Sequence, residues 1–210
     1  MRKIFLLCIL VIFLTGCTSI NENSLDNLLN DIVTSKVKTK NVNRNGYSYY
    51  NPKGLSIIDS TSFNEVFKDN KYKYYLYIDI VSYNNKTDFN YKYNDKAYYS
   101  SNINNGSKKG YIEINNYKNG QYLIEIMYNY AKIEVIVYED DINKAVSYAM
   151  VVLASVSYND NVIKNYLSSS VLDSVEEEFN IFEIVGSNNY LEFTDEEISG
   201  DEVRDPDYIN

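Results

Sequence analysis

GYIEINNYKNGQYLIEIMYNYAKIEVIVYEDDINKAVSYAMVVLASV, residues 110–156, is the stretch that decides the fold. Its first part alternates with period two. Ile112 and Ile114, then Ile124 and Ile126, then Ile133, Val135 and Val137 fall on one side. Tyr111 and Glu113, then Leu123, Glu125 and Met127, then Glu134, Ile136 and Tyr138 fall on the other. That alternation is the mark of strands with one buried face. The turn at Lys118-Asn119-Gly120 and the close spacing of the three runs predict an antiparallel meander. After Asp140 and Asp141, either of which can cap a helix, the period becomes 3.6. Ile142, Ala145, Val146, Ala149, Val152, Leu153 and Val156 then share one helical face, the pattern of a helix lying across a sheet. Strands followed by a covering helix define an α+β domain. The expectation is an antiparallel sheet of about five to six strands covered by a C-terminal amphipathic helix.

Working outward, residues 72–83 (YKYYLYIDIVSY) read as a further strand. Leu76, Ile78 and Ile80 lie on one face, with Tyr75, Tyr77, Asp79 and Val81 on the other. GYSYY and LSIID flank a turn at NPKG and read as two short strands. SFNEVF offers a capping box from Ser62 to Glu65 and predicts a brief helix. Residues 84–107 are rich in Asn and read as turns with a weaker strand at AYYS, and NVIKNYL adds a turn or two of helix. Nearer the N-terminus, SLDNLLNDIVTSKV places Leu25, Leu28, Leu29, Ile32 and Val33 on one helical face behind Ser24 as N-cap. A membrane-surface helix wants a basic polar face, whereas Asp26 and Asp31 flank this one, so it is expected to pack on the domain. The connector that follows carries Lys36, Lys38, Lys40 and Arg44, within reach of anionic headgroups.

Composition removes several chemistries. The 210 residues include 23 Tyr but no His and no Trp. Without histidine there is no Ser-His-Asp triad, no His-ligated zinc and no imidazole proton relay. The over-use of Tyr, Asn, Ile and Lys resembles the codon bias of an AT-rich genome, a bland source for the tyrosines. The net charge of −9 is unevenly placed: from Asp173 onward there are 13 acidic residues and one basic, Arg204. The body before it is near neutral and has no basic stripe, which argues against nucleic acid. The acidic end is expected to be a solvated, largely disordered extension. Asp195-Glu196-Glu197 lacks the fixed loop of a calcium site, so no metal and no cofactor is expected.

The first residues set the expected location. Arg2 and Lys3 precede an apolar run from Ile4 to Leu14, too short to span a bilayer and of the length of a secretory h-region. It ends in Leu14-Thr15-Gly16-Cys17, which resembles the lipobox of bacterial lipoproteins. The resemblance implies cleavage by signal peptidase II before Cys17 and diacylglyceryl attachment to its thiol, with Leu14, Thr15 and Gly16 as the recognition residues. Cys8 would be lost with the leader, leaving no thiol chemistry in the mature domain. Two acyl chains, such as palmitate, give a stable anchor where one binds only marginally. The chain as a whole resembles uncharacterised lipoproteins of low-GC Gram-positive bacteria. The order of elements from residue 46 to 167, ending in Ala154-Ser155-Val156, is similar to the PsbP-like layout, whose members are mostly binding or assembly modules. The expected organisation is a signal peptide over 1–16, a lipidated tether with a short helix over 17–45, an α+β domain over 46–167 and an acidic tail over 168–210.

The strongest functional candidate in the sequence is the outward face of the sheet: Tyr75, Tyr77, Asp79, Tyr111, Glu113, Glu125 and Glu134. Carboxylates directly opposite one another on neighbouring strands destabilise a sheet unless neutralised. Lys73 and Lys132 are one means of neutralisation and a bound cation is another. The face reads as a half-solvated sheet surface, as a ligand face where tyrosines meet sugars or cations, or as a carboxylate pair for glycoside cleavage. The expected function is a lipid-anchored module on the outer face of the cell membrane that binds an envelope protein, glycan or cation. A carboxylate-based hydrolase of cell-wall or other glycans is the alternative.

Overall fold

The computed structural model describes residues 23–35 and 39–168. The leader with Leu14, Thr15, Gly16 and Cys17, the connector's Lys36 and Lys38, and the chain beyond residue 168 lie outside the described residues. In chain order the elements are α1 (Asn23–Thr34), β1 (Val42–Asn43), β2 (Tyr47–Tyr49), β3 (Ser56–Ser60), β4 (Asn64–Lys68), β5 (Lys73–Ile78), α2 (Ile80–Asn85), β6 (Tyr99–Asn105), β7 (Lys108–Asn116), β8 (Gln121–Tyr128), β9 (Ala131–Tyr138), α3 (Ile142–Ser155), β10 (Ser157–Tyr158) and α4 (Asp160–Ser168). Seven strands form one antiparallel sheet in the order β3-β4-β5-β9-β8-β7-β6, and β1-β2-β10 form a second, three-stranded one. The fold is α+β.

The meander is the centre of the large sheet. Its register aligns Ile112 with Ile126 and Ile133, and Ile114 with Ile124 and Val135. All six are buried, and burying each such side chain contributes about 1.5–3 kcal/mol. α3 packs over β8 and β9, and α1 packs beside it against α3 and β6. Leu25 and Leu29 are buried in that contact, which accounts for the helix periodicity near the N-terminus. Between β8 and β9 the two-residue turn Asn129-Tyr130 has φ of 53° and 63°, the left-handed pair that fits the twist of a hairpin.

Four expectations need correction. The large sheet has seven strands rather than five to six, because β3 and β4 extend it beyond β5. The segment read as a helix behind Ser62 is strand β4. It pairs with β3 on one side and β5 on the other and turns Glu65 and Phe67 inward, so tertiary pairing outweighs the local capping signal. β5 ends at Ile78, where the sequence predicts a strand continuing through Ile80. Asp79 instead caps α2, its Oδ1 accepting from the Ser82 amide at 2.8 Å. α3 is followed by β10 and α4, so it is not the last element.

Candidate functional site

Strand register gathers six of the seven candidate residues on the face away from α3. Glu113 lies opposite Glu125, Glu125 opposite Glu134, and Glu134 opposite Tyr75, making one row across four strands. Tyr111 and Tyr77 stand in the next row, separated by Met127 and Lys132. Asp79 is not part of it, being committed to the α2 cap.

Residues 86–98 cross this face and occupy much of it. The Tyr91 ring stacks on Tyr111 with centroids 4.2 Å apart and planes 4° from parallel. The Tyr91 hydroxyl donates to Glu113 Oε2 at 2.5 Å, while Asn94 and Asn115 side-chain amides donate to Oε1 at 2.9 and 2.8 Å. Burial pushes the Glu113 carboxyl up, but these three donors outweigh it and hold it below the usual range. Tyr111 donates to Glu125 Oε1 at 2.5 Å, and burial, then Glu125, pushes its hydroxyl well up. Lys132 sits 3.1 Å from Glu134, whose residue is only 5% exposed. Burial raises the Glu134 carboxyl to about 7; Lys132 opposes the rise, and a hydrogen bond to Glu125 adds to it. A shared proton, a lysine and three neutral donors thus relieve the like charges. The tyrosine on which a ligand ring would stack already carries one from the same chain.

A second feature is a cleft of about 590 Å³ beside the small sheet, within the size range of small-molecule sites. Two segments, 43–48 and 157–162, line it together with Tyr83. They meet because β2 pairs with β10 and because the Asn159 amide donates to the Gly46 carbonyl at 2.8 Å. Gly46 has a φ of +101° with Ile163 packed behind it, so a side chain there would be strained as well as crowded. Tyr83 and Tyr158 stack at 3.9 Å, and the Tyr83 hydroxyl donates to Asp160 Oδ1 at 2.6 Å. Burial, then Asp160, pushes the Tyr83 hydroxyl up to about 12, keeping it a donor at neutral pH. Lys86 lies 3.5 Å above the Tyr83 ring centroid, and Tyr158 donates to the Asn129 carbonyl. With Tyr158 on one face of the Tyr83 ring and Lys86 on the other, the polar groups the cleft offers are amides, hydroxyls, the Asp160 carboxylate and the Arg44 guanidinium.

Arg44 is held from behind. Its Nε and Nη2 donate to the two oxygens of Glu65 at 3.2 and 2.8 Å, and Tyr47 and Tyr49 donate at 2.9 and 2.7 Å. Glu65 is 1% exposed, so four donors converge on one buried carboxylate and tie the cleft's sheet to β4. Sequence reasoning gives Arg44 to a basic connector and Glu65 to a helix cap, and it passes over Asn159 and Asp160. Its only signals were two Asn-rich runs, Asn43-Arg44-Asn45-Gly46 and Asn159-Asp160-Asn161, which are also what turns look like.

Searches of protein-family models, of curated proteins and of solved structures returned no match. Among the described residues no group of three or more His, Cys, Asp or Glu side chains could hold a metal ion. No helix among them is long and apolar enough to cross a membrane.

Proposed function

We propose that this chain is a lipoprotein of the outer face of the cell membrane, acylated at Cys17, whose domain is a binding or assembly module of the cell envelope with its ligand site in the 43–48/157–162 cleft. The cleft carries the reading. It offers a concave, polar lining, whereas the Tyr/Glu row is engaged by residues 86–98 of the same chain. In this reading α3 is the amphipathic cover of the sheet and the PsbP-like order of elements supplies a rigid platform. An envelope glycan is the ligand class favoured by side-chain amides and hydroxyls.

Hydrolysis of glycans is the second reading. It needs two carboxyl groups spaced about the scissile bond, about 5–9.5 Å apart depending on mechanism. Among the described residues the cleft is lined by one carboxylate, Asp160, and Glu125 and Glu134 are hydrogen-bonded to each other. Binding is therefore preferred. The test is capture of cell-envelope fragments by the full chain in detergent, with Asn45→Ala/Asp160→Ala as the comparison. Capture that is lost in this variant supports the reading; equal capture by both proteins, or none by either, rejects it. Intact mass of the membrane-extracted protein tests the anchor: a chain beginning at Cys17 with added lipid is expected, and an unmodified chain beginning at Met1 would refute it.

A further inference from the structure

Beside this cleft two ammonium groups approach the end of α3, and among the described residues neither has a carboxylate partner. Lys40 Nζ donates to Ser157 Oγ, and Lys108 Nζ donates to the Ala154 carbonyl at 3.2 Å. Ala154 and Ser157 flank the C-terminal end of α3, so both cations gather on the same turn. A helix C-terminus carries about half a negative charge, which accounts for one cation and not for two. Among the described residues both contacts are to neutral oxygens. Burial first, and the Lys40 charge second, lowers the Lys108 pKa. Ser48 Oγ is 3.1 Å from Ser157 Oγ, and both serines line the cleft, so hydroxyl donors stand beside the charges.

We propose that the Ser48 and Ser157 end of the cleft is an oxyanion subsite, and that the ligand is a hydroxylated molecule bearing a phosphate or carboxylate. The oxyanion sits between Lys40 and Lys108 with the Ser48 and Ser157 hydroxyls. The ligand's own hydroxyls run along Asn45, Asn159 and Asp160. This rests on the reading of the cleft as the ligand site, and it adds the sign of the ligand's charge. A lysine ammonium is a point charge with three rotatable donors, suited to an oxyanion presented at variable angle. The opposite end of the cleft, where Asp160 accepts from Tyr83, disfavours a second anion there.

Calorimetric titration of the full chain in detergent with glycerol 3-phosphate, glucuronate, glycerol and glucose tests the subsite. At least one charged probe is expected to bind about tenfold more tightly than its neutral counterpart, an advantage that shrinks with added salt. The pair that shows it distinguishes phosphate from carboxylate. Lys40→Gln together with Lys108→Met is expected to abolish the preference. Because Lys108 is half-buried, Lys40→Gln alone, at an exposed position, serves as the second variant and is expected to reduce it without changing Tm. Equal binding of charged and neutral probes would overturn the subsite while leaving the cleft a ligand site. A charge preference that survives the double variant would overturn it too. Absence of binding by all four probes would overturn it, and capture of envelope fragments then decides separately whether the cleft binds a ligand.

Discussion

Replacing Glu134 by glutamine isolates the energetic consequence of the carboxylate row. In the folded chain Glu134 holds its proton up to about pH 7, through burial first and its hydrogen bond to Glu125, against the opposing charge of Lys132. The ordinary value is 4.5. Between these two values the native state binds one more proton than the unfolded chain, so stability falls as pH rises and levels off above about 7. The stabilisation is complete below 4.5 and lost on passing through the folded pKa. At 1.36 kcal/mol per pH unit the loss is roughly 3 kcal/mol. Glutamine keeps the shape, can donate to Glu125 and accept from Lys132, and cannot ionise. Urea unfolding of wild type and Glu134→Gln from pH 4 to pH 8.5 gives a difference curve in which titrating groups remote from Glu134 cancel, leaving Glu134 with its partners Glu125 and Lys132. The variant's relative stability is expected to climb by roughly 3 kcal/mol across that window. A flat difference curve would refute the account of a protonated glutamate pair.

Four further outcomes follow from buried features. Glu65→Ala leaves Arg44, Tyr47 and Tyr49 without their shared acceptor and is expected to destabilise by about 3–5 kcal/mol in urea unfolding. Arg44→Met in the same background should cost little more, since the pair acts as a unit. Gly110→Ala would drive a methyl into the Met127 carbonyl and the Tyr128 Cα across the β7–β8 pair; Tm should drop sharply, and wild-type stability would contradict the register. Asp69 is held below its ordinary value: burial opposes this, but amides of Tyr72 and Lys71 and the Lys144 ammonium prevail. Its contribution is present above pH 3.8 and lost as pH falls through the lower folded value, so Asp69→Asn should flatten acid unfolding below pH 4.

The meander and α3 were legible because each carries one clean period with the buried side unbroken, from Ile112 through Val137 and from Ile142 through Leu153. The row Glu113, Glu125 and Glu134 was legible for the same reason, since register follows from alternation. β4 was not, because Ser62 and Glu65 satisfy a local helix-start rule that says nothing about partners on either side. Asp79 was misplaced because alternation continues through Ile80 while the chain has already turned into α2. Residues 86–98 have no period, and their role depends on Tyr91 meeting Tyr111 twenty residues away, a contact no local pattern encodes. The cleft is assembled from segments more than a hundred residues apart in sequence, and its residues are of the types that also make loops.

The central claim is that ligand recognition belongs to the cleft rather than to the Tyr/Glu row. Chemical-shift mapping of the isotope-labelled full chain during titration with soluble cell-envelope fragments tests it most directly. Shifts confined to amides of 43–48 and 157–162, with the Lys86 and Tyr83 signals following, are the expected result. Shifts centred on Tyr91, Asn94 and Glu113 would return recognition to the sheet face, and together with an unmoved cleft they would contradict the account.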